Sequence, residues 1–198
     1  MAFQEVVRRR RMVRRYVPDR PVPPDVVEAI VSNALRAPSA GFSQGFAFLV
    51  LDDPGDISLF RQAATPDHDK ENWHSATFEA PLVIVPCSNK EVYLDRYAKA
   101  DKGHTDRSAA WWPSPYWDID TGFASLLMLL TAVDLGLGAC FFGLPIDRIG
   151  TVQEVFGMPE PFRPIGAITV GYGAELPRDL SARRLPKQNS IHRGRWRT

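Results

Sequence analysis

Cysteine is scarce in this sequence. The two cysteines among 198 residues both stand inside apolar runs, PLVIVPC ending at Cys87 and GACFFG containing Cys140. Small disulfide-stapled scaffolds need several cysteines at regular spacings, so that class of protein is excluded. A chain of this length can bury a substantial core without such crosslinks. We therefore expect two buried, reduced thiols rather than a disulfide or a pair of metal ligands.

Net charge and long apolar runs are lacking as well. The formal net charge is +1, so no overall field draws nucleic acid to the chain. The apolar stretch 121–133 is shorter than the roughly 20 residues that a membrane-spanning helix needs. The N-terminal arginines lead into VPDRPVPPD rather than into the apolar segment of a secretory signal. We expect a cytoplasmic protein with no membrane or nucleic-acid partner.

Two glycine-containing segments resemble nucleotide-binding loops but lack residues that those motifs require. The segment that begins at Gly136 starts like a dinucleotide loop, but Phe141 stands where its third glycine should be. Gly138 and Gly143 have the spacing of a P-loop, but Leu-Pro follows in place of the required Lys-Ser/Thr. The sequence therefore predicts neither a dinucleotide-binding fold nor an NTPase loop.

Metal and acid–base motifs are also missing. The polar segment 65–80 has the composition of a metal cluster, but its spacing fits no common template, and we expect no metal there; the residues are Asp67, His68, Asp69, Glu71 and His74. No serine or cysteine nucleophile can be paired with a histidine base, and we expect no catalytic side chain. So little ionisable chemistry favours a cofactor that carries the reaction.

A strongly apolar helix is the main positive feature. It is predicted to begin near Tyr116, with Asp118 and Asp120 at its N-cap and first turn, and to stop at Gly136. Apolar side chains recur at helical spacing and also fill the opposite side; they are Phe123, Leu126, Leu127, Met128, Leu129, Leu130 and Val133. Since the helix is apolar all round, we predict that it is central and buried.

Strands and helices alternate irregularly along the rest of the chain. Apolar runs predict buried strands over 46–51, 81–87, 139–143 and 164–173, and helical patterns cover 3–11, 25–37, 56–64 and 146–156. Fully apolar strands belong to a sheet that is covered on both faces. We find no repeat and no linker, so the prediction is a single α+β domain over 1–198.

Arginines crowd the segment 8–15, and a second basic group occurs at Arg183, Arg184 and Lys187. Guanidinium groups suit the recognition of phosphate, especially where a chain leaves a helix. The alternatives are a solvated basic face and an arm that binds nucleic acid.

Taken together, these pieces resemble the FMN-dependent nitroreductase family, and the resemblance extends from Arg10 to about Trp196. The segments occur in the family's order, namely RRMVRRY (10–16), APSAGFSQG (37–45), PYWDIDTG (115–122), LGLGACFFG (135–143), FRPIGAITVGY (162–172) and RRLPKQNSIHRGRW (183–196). The resemblance implies a three-layer α/β/α sandwich with a mostly antiparallel sheet around a long central buried helix.

The resemblance also implies a set of FMN contacts. Arg10, Arg11 and Arg14 would hold the phosphate and ribityl chain, and Arg184 would join them. The loop Pro38, Ser39 and Ala40 would touch the flavin from the other subunit. Phe141, Phe142 and Gly143 would pass beside the isoalloxazine and offer backbone N–H groups near its N5.

Two positions depart from the family pattern. Met12 stands where the family usually has Ser, and Phe42 lies in a loop that usually reads Asn-x-Gln-Pro-Trp. Met12 removes a hydroxyl from the phosphate site, and Phe42 replaces an amide contact with an aromatic wall.

By this resemblance the chain is a homodimeric flavoenzyme with FMN as its cofactor and NAD(P)H as its co-substrate. Hydride would pass from NAD(P)H through flavin N5 to a small-molecule electron acceptor such as a nitroaromatic, a quinone or a flavin. The central helices would pack together, and the C-terminal segment 175–198 would extend over the partner. The Trp111–Trp117 loop would form a lid or acceptor wall. The alternative is a non-redox flavin-binding or flavin-handling protein on the same scaffold.

Overall fold

The sheet of this protein is antiparallel and is built from its most apolar segments. The computed structural model describes residues 1–69, 74–176 and 190–196. In that part of the chain the strands are β1 (Phe46–Leu51), β2 (Leu82–Asn89), β3 (Gly138–Phe142), β4 (Phe162–Pro164) and β5 (Ala167–Gly171). Their order across the sheet is β1-β2-β5-β3, and β4 pairs with the far end of β2.

The helices of the described residues are α1 (Phe3–Arg9), α2 (Pro24–Ala34), α3 (Pro54–Ala64), α4 (Lys90–Tyr97), α5 (Tyr116–Asp134) and α6 (Ile149–Val155). Prolines open α2 and α3, where the missing N–H costs nothing. The Asp53 carboxylate caps α3 by accepting the N–H groups of Gly55 and Asp56. None of these helices is long and apolar enough to cross a bilayer.

Two apolar layers cover the sheet. One face, which carries Leu82, Ile84, Ile168 and Val170, packs against α2 and α5. The other face, which carries Val83 and Val85 among others, packs against α3 and α6. Because the side chains of a strand alternate between faces, each apolar strand supplies both layers. The predicted three-layer α/β/α sandwich with an antiparallel sheet is confirmed.

Both cysteines lie in this buried sheet as free thiols, as predicted. Burial raises the pKa of the Cys87 thiol to about 12, so that side chain stays protonated near neutral pH. Cys87 therefore acts as a small apolar residue.

The structure corrects the prediction for α5 at two points. The helix begins directly after Pro115, and neither predicted aspartate caps it: Asp118 lies in the first turn and Asp120 lies deeper in the helix. Burial is also incomplete, because Phe123 and Leu126 are exposed while Ala124, Met128 and Ala132 on the opposite side are buried. One stripe of the helix is therefore left uncovered by the residues that the structure describes.

Smaller corrections concern element ends. The predicted strand 164–173 is split, since β4 ends at Pro164 and β5 begins at Ala167. The predicted helix 146–156 starts as a 3₁₀ turn and becomes α-helical at Ile149. Most of the C-terminal segment, with Arg183, Arg184 and Lys187, lies outside the described residues, so its predicted arm stays a prediction.

Candidate functional site

The arginine segment 10–16 lies in extended conformation beside the start of β3. Met12 forms a parallel bridge with Ala139, and the Val13 N–H donates to the Ala139 carbonyl at 2.9 Å. A Cβ at Gly138 would lie 2.8 Å from the Val13 side chain, so only glycine permits this approach. The segment is therefore fixed by backbone contacts, and its side chains are placed by the edge of the sheet.

Tyr16 locks the end of the segment. Its buried hydroxyl lies 2.7 Å from the Val13 carbonyl and 2.9 Å from the Thr169 hydroxyl on β5. Burial is the main reason that the pKa of Tyr16 is raised above its usual range, so the phenol remains a neutral donor. The backbone around Arg14 is thus tied to the centre of the sheet.

Arg11 is engaged by Glu175, at the root of the C-terminal segment. Its two terminal nitrogens lie 3.3 Å from Glu175 Oε1 and 2.6 Å from the Glu175 carbonyl. The same carboxylate oxygen accepts the Arg14 backbone N–H at 3.0 Å. Arg11, one of the predicted phosphate residues, therefore has a partner within its own chain.

Arg10 and Arg14 differ from Arg11. Within the part of the chain that the structure describes, no carboxylate forms an ion pair with either guanidinium, and neither donates a hydrogen bond. Arg10 is nonetheless half-buried. A partly desolvated cation without a partner is costly unless an anion is bound there. Arg10 therefore suits the phosphate of FMN, and Arg14, which is exposed, presents its guanidinium for the same kind of contact.

Arg14 also lies near the end of β3. The His74 ring stacks on Phe142 with centroids 4.4 Å apart. Burial first, and the Arg14 charge second, lower the pKa of His74 from its usual value. Gly143, the residue directly after Phe142, is exposed, and a Cβ there would meet no atom within 4 Å. The structure therefore brings Arg14, Phe142 and an accessible backbone segment into one region.

Phe141 has a different position from Phe142. Neighbouring residues on a strand face opposite sides, and Phe141 packs against the core on the α5 side of the sheet. Met12 packs against the same core, so its side chain replaces the family's serine with apolar contacts. Both side chains are partly buried, and much of their surface is used in these core contacts.

The loop 38–44 is strained and heavily anchored. Gly41, Phe42 and Gln44 all have positive φ values, of 61°, 55° and 53°. Left-handed conformations of non-glycine residues persist where surrounding contacts enforce them. Here Arg96 donates to the Gly41 carbonyl at 2.9 Å, and the Ser39 hydroxyl accepts the Gln44 N–H at 2.9 Å. The result is a fixed loop with the Phe42 ring 76% exposed.

A carboxylate of α5 holds the start of this loop. Asp120 Oδ2 accepts the Ala40 N–H at 2.8 Å and the Tyr93 hydroxyl at 2.8 Å. Two residues earlier, Asp118 accepts the Ser88 hydroxyl at 2.6 Å. These contacts join the loop, α4, β2 and α5 at one end of the central helix.

Aromatic side chains pack beside the same loop. Trp112 contacts Tyr97 at a centroid distance of 4.5 Å, and Trp117, Tyr116 and Tyr93 surround it at 5.5–6.0 Å. A Cβ at Gly41 would lie 2.8 Å from the Tyr97 ring. The aromatic residues of 111–117 therefore form a packed cluster against the loop, with Trp111 exposed at its edge.

The predicted site residues fall into two groups at opposite ends of α5. The loop is attached through Asp120, whereas the arginine segment lies at the other end, where Arg11 and Val13 border a cavity with Val133 and Leu137. Val133 lies thirteen positions after Asp120 in the helix, a distance of about 20 Å at 1.5 Å per residue. One chain thus keeps Pro38, Ser39 and Ala40 apart from the arginines.

Several residues at these places escaped the sequence prediction. Glu175 and Tyr93 were not singled out, His74 was considered only as a metal ligand, and Asp120 only as a helix cap. Their partners are distant in sequence: Ala40 lies 80 positions from Asp120, and Arg11 lies 164 positions from Glu175. The local sequence offered one indication of these polar contacts, namely the two aspartates at the start of a strongly apolar helix.

Comparisons with known proteins agree on one family. The model of the family described as "Nitroreductase family" matches residues 7–172. A protein of Methanothermobacter thermautotrophicus with the name "Putative NADH dehydrogenase/NAD(P)H nitroreductase" is 28% identical over 198 residues, covering 99% of this chain and 88% of the relative. An "NADPH-dependent oxidoreductase" of Staphylococcus aureus is 22% identical over 191 residues, covering 96% and 72%.

Solved structures show the same fold. NfrA1 of B. megaterium superimposes with a TM-score of 0.78 at 20% identity, covering 100% of this chain and 76% of that one. An "FMN-dependent Nitroreductase" of Clostridium difficile R20291 has a TM-score of 0.71 at 21% identity, with 96% and 98% covered.

Proposed function

The chain belongs to the nitroreductase family, and from that premise we propose that it is an FMN-dependent oxidoreductase that transfers hydride from NADH or NADPH to an electrophilic acceptor. Two of its relatives are named for NAD(P)H chemistry, and a structural neighbour is named as FMN-dependent. The acceptor class, the subunit arrangement and the residue roles below are part of the proposal.

The unpaired arginines carry the proposal. Arg10 and Arg14 present guanidinium donors without a carboxylate partner in the described chain, on a backbone that β3 and Tyr16 hold rigid. Two such forks bind a phosphate dianion through charge-assisted hydrogen bonds. Arg184, which lies outside the described residues, would add a third from the C-terminal segment.

The end of β3 provides the surface for the ring. Bound FMN supplies a hydride acceptor and donor at N5, which is the chemistry that these side chains lack. The Phe141–Gly143 backbone would direct N–H groups toward the ring and stabilise negative charge that develops there. Gly143 suits this contact, because it is exposed and has open space where a side chain would stand.

The acceptor would bind between the ring and the aromatic cluster. Planar acceptors such as nitroaromatics, quinones or flavins match a wall of Trp and Tyr side chains. Nicotinamide and acceptor would use this surface in turn, so no dinucleotide fold is required. We assign no side chain as a catalytic acid or base.

Two subunits would complete each site. Phe123 and Leu126 form an exposed stripe on α5, and Phe3 and Val7 on the adjacent α1 extend it. A second copy of the chain would cover this apolar face. The loop 38–42 of one subunit would then reach the flavin bound by the arginines of the other.

Purification and steady-state kinetics test the proposal. A yellow protein that retains FMN is expected, and its double-reciprocal plots should be parallel when donor and acceptor are varied, because the two substrates alternate. Failure to bind added FMN would refute the cofactor assignment. A yellow protein with no turnover on NADH or NADPH would favour the non-redox flavin-handling alternative.

A further inference from the structure

We propose that Asp120 is a positioning residue that holds the 38–42 loop of one subunit in place for the flavin bound by the other. This inference rests on the proposed function. It assigns to the loop an anchor that lies outside the set of residues expected to touch the cofactor.

The environment of Asp120 is unusual for a carboxylate. The side chain is 3% exposed, and no cation pairs with it among residues 1–69, 74–176 and 190–196. Its charge is met instead by two hydrogen bonds to one oxygen, from the Ala40 N–H and from the hydroxyl of fully buried Tyr93.

Those hydrogen bonds act directly on the strained part of the loop. Ala40 immediately precedes Gly41 and Phe42, which have φ values of 61° and 55°. A backbone in that region reverts to ordinary conformations unless neighbouring contacts oppose it. The Ala40 N–H bond to Asp120 lies at the entry to the strained turn and ties it to the rigid central helix.

The distance along α5 decides which flavin the loop serves. Asp120 and the arginine segment lie about 20 Å apart along the helix of one chain. In an isologous dimer that pairs the exposed α5 stripes antiparallel, the loop of each chain would approach the arginines of the other. Asp120 therefore supports the site of the partner subunit.

The loss of Asp120 should reduce acceptor turnover. Asp120→Ala removes both hydrogen bonds, and with FMN in excess the kcat/KM for the acceptor should fall roughly 10- to 100-fold, the usual cost of a misplaced site wall. Asp120→Asn should retain most activity, since its amide oxygen can accept both hydrogen bonds. Asp118→Ala is the matched control: it removes a carboxylate and the Ser88 bond from the same helix end without touching the loop.

Complementation between subunits is the decisive measurement. Asp120→Ala and Arg14→Ala chains carrying different affinity tags are co-expressed, and the heterodimer is isolated with both tags. One of its two sites then has an intact arginine segment and an intact loop, so its activity should return to about half that of the wild-type dimer.

The opposite results are equally clear. A heterodimer no more active than its parents would overturn the proposal, because each of its two sites would then carry one defect, as expected if the loop and the arginines of one chain serve the same flavin. Full activity of Asp120→Ala would overturn it as well, and so would an equal loss in Asp118→Ala. If Asp120→Ala does not fold, Ala40→Pro, which removes the donated N–H and keeps the Asp120 carboxylate, replaces it in the same heterodimer. A wild-type chain that binds FMN and turns over as a monomer would refute the shared site while leaving the proposed activity intact.

Discussion

The two ends of α5 are built in opposite ways. At the N-terminal end the polar groups are satisfied within the chain: Asp120 accepts from Ala40 and Tyr93, and Asp118 accepts from Ser88. At the other end the arginine segment has a rigid backbone, but the Arg10 and Arg14 side chains lack partners in the described chain. Saturated networks hold a backbone in one conformation, whereas unpaired charges are available to a ligand. In the proposed function, the first end positions the 38–42 loop and the second binds the FMN phosphate.

Disrupting the proposed dimer, which would bring the N-terminal end of α5 in one subunit to the arginine segment of the other, should have the largest effect. Leu126→Asp puts a charge into the exposed α5 stripe between them. Burying an unpaired carboxylate there would weaken dimerisation by about 3 kcal/mol or more. The solution mass should fall to that of a monomer, and flavin retention should fall with it. Leu59→Asp, on an exposed position of α3 in the opposite layer, is the control and should leave the mass unchanged.

Removing a binding charge should have the next largest effect. Arg14→Ala deletes a charge-assisted contact to phosphate, which is worth about 1.5–3 kcal/mol. FMN should dissociate roughly 10- to 150-fold more readily, as measured by titration of the apoprotein. Arg163→Ala removes an exposed arginine on β4 and should bind FMN like the parent. Unchanged affinity in Arg14→Ala would show that the phosphate lies elsewhere.

A smaller effect should link Arg14 with His74. Burial, and then the Arg14 charge, hold the pKa of His74 below its ordinary value. The unfolded chain therefore binds this proton at a higher pH than the folded protein does. The stability contribution is present above about pH 6.5 and is lost as the pH falls below that value.

The measurement is an NMR titration of the His74 ring. The pKa of His74 should rise toward its ordinary value in Arg14→Ala, because one cause of the shift is removed. His74→Asn should lose less unfolding free energy than the parent between pH 7.5 and 5.5. A His74 pKa that does not respond to Arg14→Ala would mean that the two side chains are not electrostatically coupled.

The parts of the fold that could be predicted from the sequence are those that leave a local pattern. The apolar runs at 46–51 and 81–87 identified β1 and β2 because continuous burial leaves a local pattern. The three-residue strand β4 left none, since it contains a proline and exists through pairing with residues 87–89. The order of the family-like motifs predicted the arginine segment and the end of β3 as parts of the site, and these assignments remain predictions.

Long-range polar contacts account for what was missed. Asp120 looks like a helix cap when only its neighbours are considered, whereas its partners come from α4 and from the loop before β1. The all-round apolar pattern of α5 gave no sign that Phe123 and Leu126 would be exposed in one chain. Both features depend on how distant segments meet, which hydropathy and spacing do not encode.

Anaerobic reduction of the bound flavin tests the central claim most directly. FMN-loaded protein is mixed with NADH or NADPH, its visible absorbance is followed, and a quinone is then added. The proposed function predicts that at least one nicotinamide bleaches the flavin and that the quinone restores its colour. A flavin that stays yellow with both donors would contradict the claim, whatever the affinity of the arginine segment for FMN.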